Sequence, residues 1–168
     1  MFARLAGADV DPNEGRFRPF YTLHETLAFA ETRALHFSKG SVVPPGRYDL
    51  IEAFCAGKSC DCRRAMLFVR AGSEHVTTIG FGWEPLDFYV KWARGDHELA
   101  RDAKGPILEP DRPRRCSYES ALLEVIQDQC LASEEYVDRV RRHYLLFKES
   151  LPSRSPGSTP SRGTSKNR

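Results

Sequence analysis

At 168 residues, with 40% hydrophobic and 11% aromatic side chains, the chain carries enough apolar material for one compact domain and too little length for two. Its net charge of +2 is unevenly spread, because residues 151–168 hold Arg154, Arg162, Lys166 and Arg168 and no acid; the first 150 residues therefore sum to −2 and do not attract a polyanion by bulk charge. No apolar run approaches the ~20 residues of a membrane span, and Asp9, Asp11 and Glu14 interrupt the N-terminus before a signal peptide could form, so a cytoplasmic protein without membrane association is expected.

Residues 1–20 mix charge with Gly7, Pro12, Gly15 and Pro19 without a period and are expected to be an irregular lead-in to a single domain over residues 21–150. Tyr21 to Ala30 suits a short helix and Glu31 to Phe37 a first strand; Ser38 to Gly46, with Pro44 and Pro45, is a loop. From Tyr48 the residues alternate. Tyr48, Leu50, Glu52 and Phe54 share one face and Asp49, Ile51, Ala53 and Cys55 the other, so both faces carry apolar groups as in a central strand. A turn at Ala56 to Ser59 leads to a strand-like run from Cys60 to Arg70, and a second turn at residues 71–74 leads to His75 to Gly82.

After Trp83 the period becomes helical: Leu86, Tyr89, Val90 and Ala93 follow Pro85 until Gly95, and Asp96 caps a continuation through Ala103 that Gly105 closes. Residues 105–116 contain three prolines and read as a loop. Ser117 is placed to cap a helix to about Cys130, and Ser133 to cap a last helix with Tyr136, Val137, Val140, Tyr144 and Phe147 inward. On its outer face Glu135 with Arg139 and Asp138 with Arg142 have the spacing of i, i+4 ion pairs. Ten of the last 18 residues are Ser, Pro or Gly, so residues 151–168 are expected to be a disordered basic tail. The class expected is α+β, an antiparallel β-meander of three or more strands followed by a helix and a C-terminal helical hairpin.

Three of the five cysteines, Cys55, Cys60 and Cys62, fall in a C-x4-C-x-C spacing between two strand-like runs. Residues two apart on an extended segment point the same way, so Cys60 and Cys62 share a face while Asp61 turns away, and Cys55 returns to them across the turn. Such a trio in a reducing compartment points to a metal site, and thiolates select zinc. Structural zinc takes four ligands, so a fourth must come from elsewhere or be water. If residues 71–74 join antiparallel neighbours, Cys62 lies opposite Trp83 and His75 at the far end; similar counting puts His36 near Asp49, also away from Cys55. Glu84 and Asp87 are at the correct end, and Cys116, on the proline-rich loop, is the best sulfur candidate. Cys130 belongs to a helical apolar stripe and reads as core. The C-x2-C pair of a zinc ribbon or a thioredoxin-type site is absent, and the metal motif C-x-C-x8-C-[CH] fails at Ala71 and Gly72.

The cluster also admits a thiol enzyme or redox sensor in which Arg63 and Arg64 lower the pKa of Cys60 or Cys62, and plain packing. Arg63, Arg64 and Trp83 are candidates for substrate or partner contact, against the duller expectation that Glu52 pairs with Arg33 or Arg63. A nucleic-acid adaptor ranks third, since Arg112, Arg114, Arg115 and the tail lack an interleaved aromatic platform. His24, His97 and His143 are scattered and no nucleophile is paired with a base, so hydrolase chemistry has no support.

The stretch from Tyr48 to Val69, the run from Ile79 to Trp92 and the late segment from Glu134 to Lys148 resemble a group of small bacterial proteins built around a Y-x3-E-x2-C-x4-C-D-C-R core. The resemblance spans roughly residues 45 to 148. It implies a shared fold and a bacterial cytosolic setting, and it implies no catalytic residue. The leading expectation is a small cytosolic domain tied by a Cys-ligated zinc that acts by binding a partner protein.

Overall fold

Strand β3 (Gly46–Cys55) is apolar on both faces, and helices cover the sheet on both sides of it. The computed structural model describes residues 15–109 and 116–152. On one face, Tyr48, Leu50 and Phe54 join Ala65, Leu67 and Val69 of β4 (Arg64–Ala71) and Ile79 and Phe81 of β5 (Glu74–Gly82). This surface packs on Leu122 and Ile126 of α4 (Glu119–Ile126) and on Val140, Tyr144 and Phe147 of α5 (Glu134–Ser150). A second, smaller core forms around Tyr89 and Ala93 of α2 (Leu86–Trp92) and its C-terminal turn, with Ala100 and Ala103 of α3 (His97–Lys104). The expected α+β class, an antiparallel meander with a C-terminal helical hairpin, is what the chain adopts.

The β4–β5 hairpin has the register read from its turn, with Arg64 opposite Gly82 and Ala71 opposite Glu74 and a bulge at Val69/Arg70, whereas β4 begins at Arg64 rather than at Cys60, so residues 56–63 connect it to β3. His36 faces Arg47 rather than Asp49, two residues from the expected position, and it remains away from Cys55. Two short strands were not legible, whereas the first strand expected over Glu31 to Phe37 does form, at Arg33–Phe37. Phe17–Pro19 forms β1 inside the stretch expected to be irregular, because it pairs with Ala53–Cys55 and Phe17 packs on the cysteines. β2 (Arg33–Phe37) pairs with the other half of the same β3 edge, at Gly46–Leu50. Between them a 3₁₀ turn at Phe20–Thr22 and α1 (Glu25–Glu31) carry the chain over to α5. Ile107–Leu108, within the proline-rich segment, forms β6 against Ile79 and Gly80.

The helices correct several details. Ser133 caps α5 by accepting from the Tyr136 amide at 3.4 Å, and Asp96 caps α3 by accepting from Glu98 and Leu99 at 3.0 Å each. Ser117 does not cap α4; the Glu119 carboxylate accepts from the Cys116 amide at 3.0 Å instead. The helix then widens into a π turn at Gln127–Leu131 before α5. The i, i+4 pairs expected on α5 are replaced by longer-range partners: Arg139 lies 3.7 Å from Glu52 and Arg142 pairs with Glu31, while Asp138 pairs with Arg141 at 3.0 Å. Leu151, assigned to the tail, is buried, and its carbonyl accepts from Lys58 Nζ at 2.8 Å. The lead-in over residues 1–14, the arginines at 112, 114 and 115, and the tail from residue 153 lie outside the described residues.

Arg64, only 2% exposed, turns away from the sheet toward α3, donating to the Ala103 carbonyl at 2.7 Å and the Asp102 carbonyl at 3.3 Å, with Glu109 3.8 Å away. A guanidinium there neutralises the negative end of the α3 dipole. Gly82 gives Tyr89 its place, since a Cβ at residue 82 would collide with the Tyr89 hydroxyl and Cζ. Gly82→Ala should therefore lower the unfolding free energy by ~2 kcal/mol, read as a shift of the urea midpoint at unchanged slope. Burial pushes the phenols of Tyr89, Tyr136 and Tyr144 above the ordinary tyrosine value. A raised folded-state pKa contributes stability that is present below the unfolded value of ~10 and lost as pH rises through the folded one. Unfolding free energy should fall with pH above ~10, and less steeply in Tyr89→Phe.

Candidate metal centre

Cys55 is the last residue of β3, and the chain reverses over residues 56–59 with Cys60 N–H donating to the Gly57 carbonyl at 3.2 Å. Lys148 of α5 closes this turn from outside, its ammonium on the carbonyls of Cys55 at 3.3 Å and of Gly57. After Cys62 the chain bends again at Arg63, which adopts φ +47°, a left-handed conformation that costs a non-glycine residue ~1 kcal/mol. The bend is held by the Tyr89 hydroxyl, which donates to the Arg63 carbonyl at 2.8 Å and accepts from the Glu84 amide at 3.3 Å. The Arg63 side chain is fixed by Asp61 at 3.0 Å and Glu84 at 3.2 Å and lies 4.8 Å from the Phe88 ring centroid.

These two bends bring the Sγ atoms of Cys55, Cys60 and Cys62 within 4.8 Å of one another, all three buried and flanked by Phe17 and Trp92. Thiolates bound to zinc at ~2.3 Å in a tetrahedron sit ~3.8 Å apart, so the spacing fits the ion. The donor chemistry fits as well. The Cys55 thiol is held far below its ordinary value, chiefly by hydrogen bonds from Cys60 and Cys62, with further help from the amides of Gly57 and Gly15, the latter 3.3 Å from Sγ. Cys60 and Cys62 are pushed up, first of all by the same bonds to Cys55. Three clustered thiols linked by hydrogen bonds can release their protons to a divalent cation that takes the protons' place.

The fourth position is not supplied by the residues the sequence pointed to. Among the described residues no other Cys, His, Asp or Glu side chain lies within 4.8 Å of all three sulfurs. Cys116 interacts with Tyr118, whose hydroxyl also meets Tyr48. Tyr48 is at the opposite end of β3 from Cys55, ~23 Å away at ~3.3 Å per residue, so Cys116 does not join the cluster. Glu84 is engaged by Arg63, and Asp87 is exposed on the first turn of α2. Arg64 points to α3, so the guanidinium pair expected to lower Cys60 or Cys62 is absent, and the sulfur with thiolate character is Cys55. Trp83 is 9% exposed and packs edge-on against Tyr144 at 5.2 Å and Phe81 at 6.3 Å. Cys130 is in the main core, as its stripe suggested.

Sequence reasoning missed a second polar centre on the same strand and helix. His143, 1% exposed, has Nδ1 2.6 Å from Glu52 Oε2 and Nε2 3.0 Å from Glu31 Oε2. Both ring nitrogens thus lie within hydrogen-bond distance of carboxylate oxygens. The imidazole stacks on Phe20 at 4.3 Å, and His24 stacks on the opposite side of Phe20 at 4.9 Å. The ion pair assigned to Glu52 with Arg33 or Arg63 is therefore made with His143 and, at 3.7 Å, Arg139. The signal was present: Glu52 shares a face with Leu50 and Phe54, and His143 is one turn from Val140 and Phe147.

Comparison of the chain with protein-family models, with curated proteins and with solved structures gives no match.

Removing one partner from a buried pair strands the other charge. Glu52→Ala should cost ~3 kcal/mol of unfolding free energy, and a double-mutant cycle with His143→Ala should return a coupling above ~1 kcal/mol, measured by chemical denaturation.

Proposed function

We propose that the chain is a small cytosolic α+β domain in which Cys55, Cys60 and Cys62 hold one zinc ion as a structural tie, and that it acts by binding a partner protein rather than by catalysis. The observation that carries this reading is the convergence of three buried sulfurs within 4.8 Å at the junction of β3, the β4 entry and α5. Thiolates favour zinc over magnesium or calcium, and an ion there would cross-link two chain reversals that little apolar surface supports. The Y-x3-E-x2-C-x4-C-D-C-R core shared with the small bacterial proteins contains these ligands together with Glu52, which supports reading strand, knuckle and α5 as one unit. Water or a donor from outside the described residues completes the coordination.

Of the proposed contact residues, Arg63 lies at the surface beside the knuckle and suits a partner's carboxylate, whereas Arg64 and Trp83 are buried. The thiol redox reading is weaker on one observation: Cys55, the sulfur with thiolate character, is 1% exposed, and a reactive thiolate needs access.

Protein purified without added metal should contain about one zinc per chain by elemental analysis, falling in Cys60→Ser, and a chelator should lower its thermal midpoint by several degrees. Metal-free protein with unaltered stability would overturn the reading.

A further inference from the structure

A recess of about 230 Å³ lies where the end of β5 meets the α3–β6 connection and the approach to α5, far enough from the cysteines to share no wall residue with them. Phe81, Trp83, Pro106, Leu131 and Val137 make it apolar, and Lys104 is its one charged wall residue among the described residues. An apolar cavity of about 150 Å³ accommodates benzene, so this one has room for a ring or a branched aliphatic group plus a short polar arm. The Lys104 ammonium, drawn into the wall, donates to the Gly82 carbonyl at 3.0 Å. That bond uses one of its three donors, so the half-buried ammonium keeps donors that can reach a ligand in the recess. Arg141 adds positive potential from the adjacent rim, where it donates to the Trp83 carbonyl at 3.4 Å, and Glu84 is the opposing acid.

We propose that this recess binds a small monocarboxylic acid with an aromatic or branched aliphatic body, its carboxylate on Lys104 and its body between Trp83 and the Leu131–Val137 wall. A mostly apolar hollow with one fixed cation selects a ligand that is apolar at one end and anionic at the other. A carboxylate accepts a charge-assisted hydrogen bond from the ammonium, whereas a neutral group of the same shape gains only a weaker one. The site is independent of the metal centre.

Titration of the full chain with phenylacetate, followed by amide and indole N–H resonances, should give saturable shifts at Trp83, Leu131 and Val137. Trp92, beside the cysteines, should stay unmoved. Phenylacetamide, with the same ring and no charge, should bind at least about tenfold more weakly. Lys104→Gln should abolish that preference and Lys104→Arg retain it, and the acid-to-amide comparison in the unsubstituted chain stands even where a variant fails to fold. Equal affinity for acid and amide, shifts confined to other residues, or no saturable shift with phenylacetate, benzoate or 4-methylpentanoate up to about 10 mM would each overturn the proposal.

Discussion

The hydrogen bond between Glu52 and His143 fixes how α5 lies on the sheet, and most of what is distinctive about the molecule follows from it. Both side chains are buried and joined at 2.6 Å, so sliding the helix along β3 would break that hydrogen bond and leave polar groups without their partner. With His143 pinned at Glu52, the neighbouring Tyr144 lies against Phe54 and Trp83, and Lys148, about one turn further along α5, lies over the carbonyls of Cys55 and Gly57. Three residues along the strand from Glu52 and five along the helix from His143 therefore meet at the cysteine knuckle. The same imidazole reaches Glu31, so α1 is referenced to α5 through the group that orders α5 on the sheet.

Two chain reversals are needed to gather three sulfurs, and each is stabilised by a side chain from a different layer. Lys148 of α5 satisfies the carbonyls of the first, and the Tyr89 hydroxyl of α2 satisfies the second. The sulfurs thus sit between the two helical layers, at the end of the sheet where Gly82 lets α2 approach. Arg64 completes this end by anchoring α3, which removes it from the thiol chemistry its sequence position suggested.

The meander was legible because its strands alternate and its turns contain glycine, whereas the convergence of Cys60 and Cys62 on Cys55 also needs the chain reversals at residues 56–59 and at Arg63, since both cysteines precede β4. The helices were legible from their period and from Asp96 and Ser133. β1 and β6 were harder, since strands of two or three residues exist only through the neighbour they pair with and leave no period of their own. The ion pairs on α5 were misread for a related reason: spacing along a helix states which charges can meet locally, and Arg139 and Arg142 found carboxylates on other elements that bury the contact. The buried Glu52–His143 pair was missed because His143 was weighed only as one of three scattered histidines, when an ionisable residue on one inward face is a reason to look for its complement on the facing one.

The two lysines at the knuckle form a reciprocal clasp. Lys58, within the turn, holds the Leu151 carbonyl just beyond α5, and Lys148, within α5, holds carbonyls of the turn. Neither segment can open alone without breaking the other's bonds, so in amide-exchange terms the turn and the last helical turn are a single opening unit with one protection free energy. Whatever state the three sulfurs are in therefore bears on the contact between this turn and the end of α5 at Leu151.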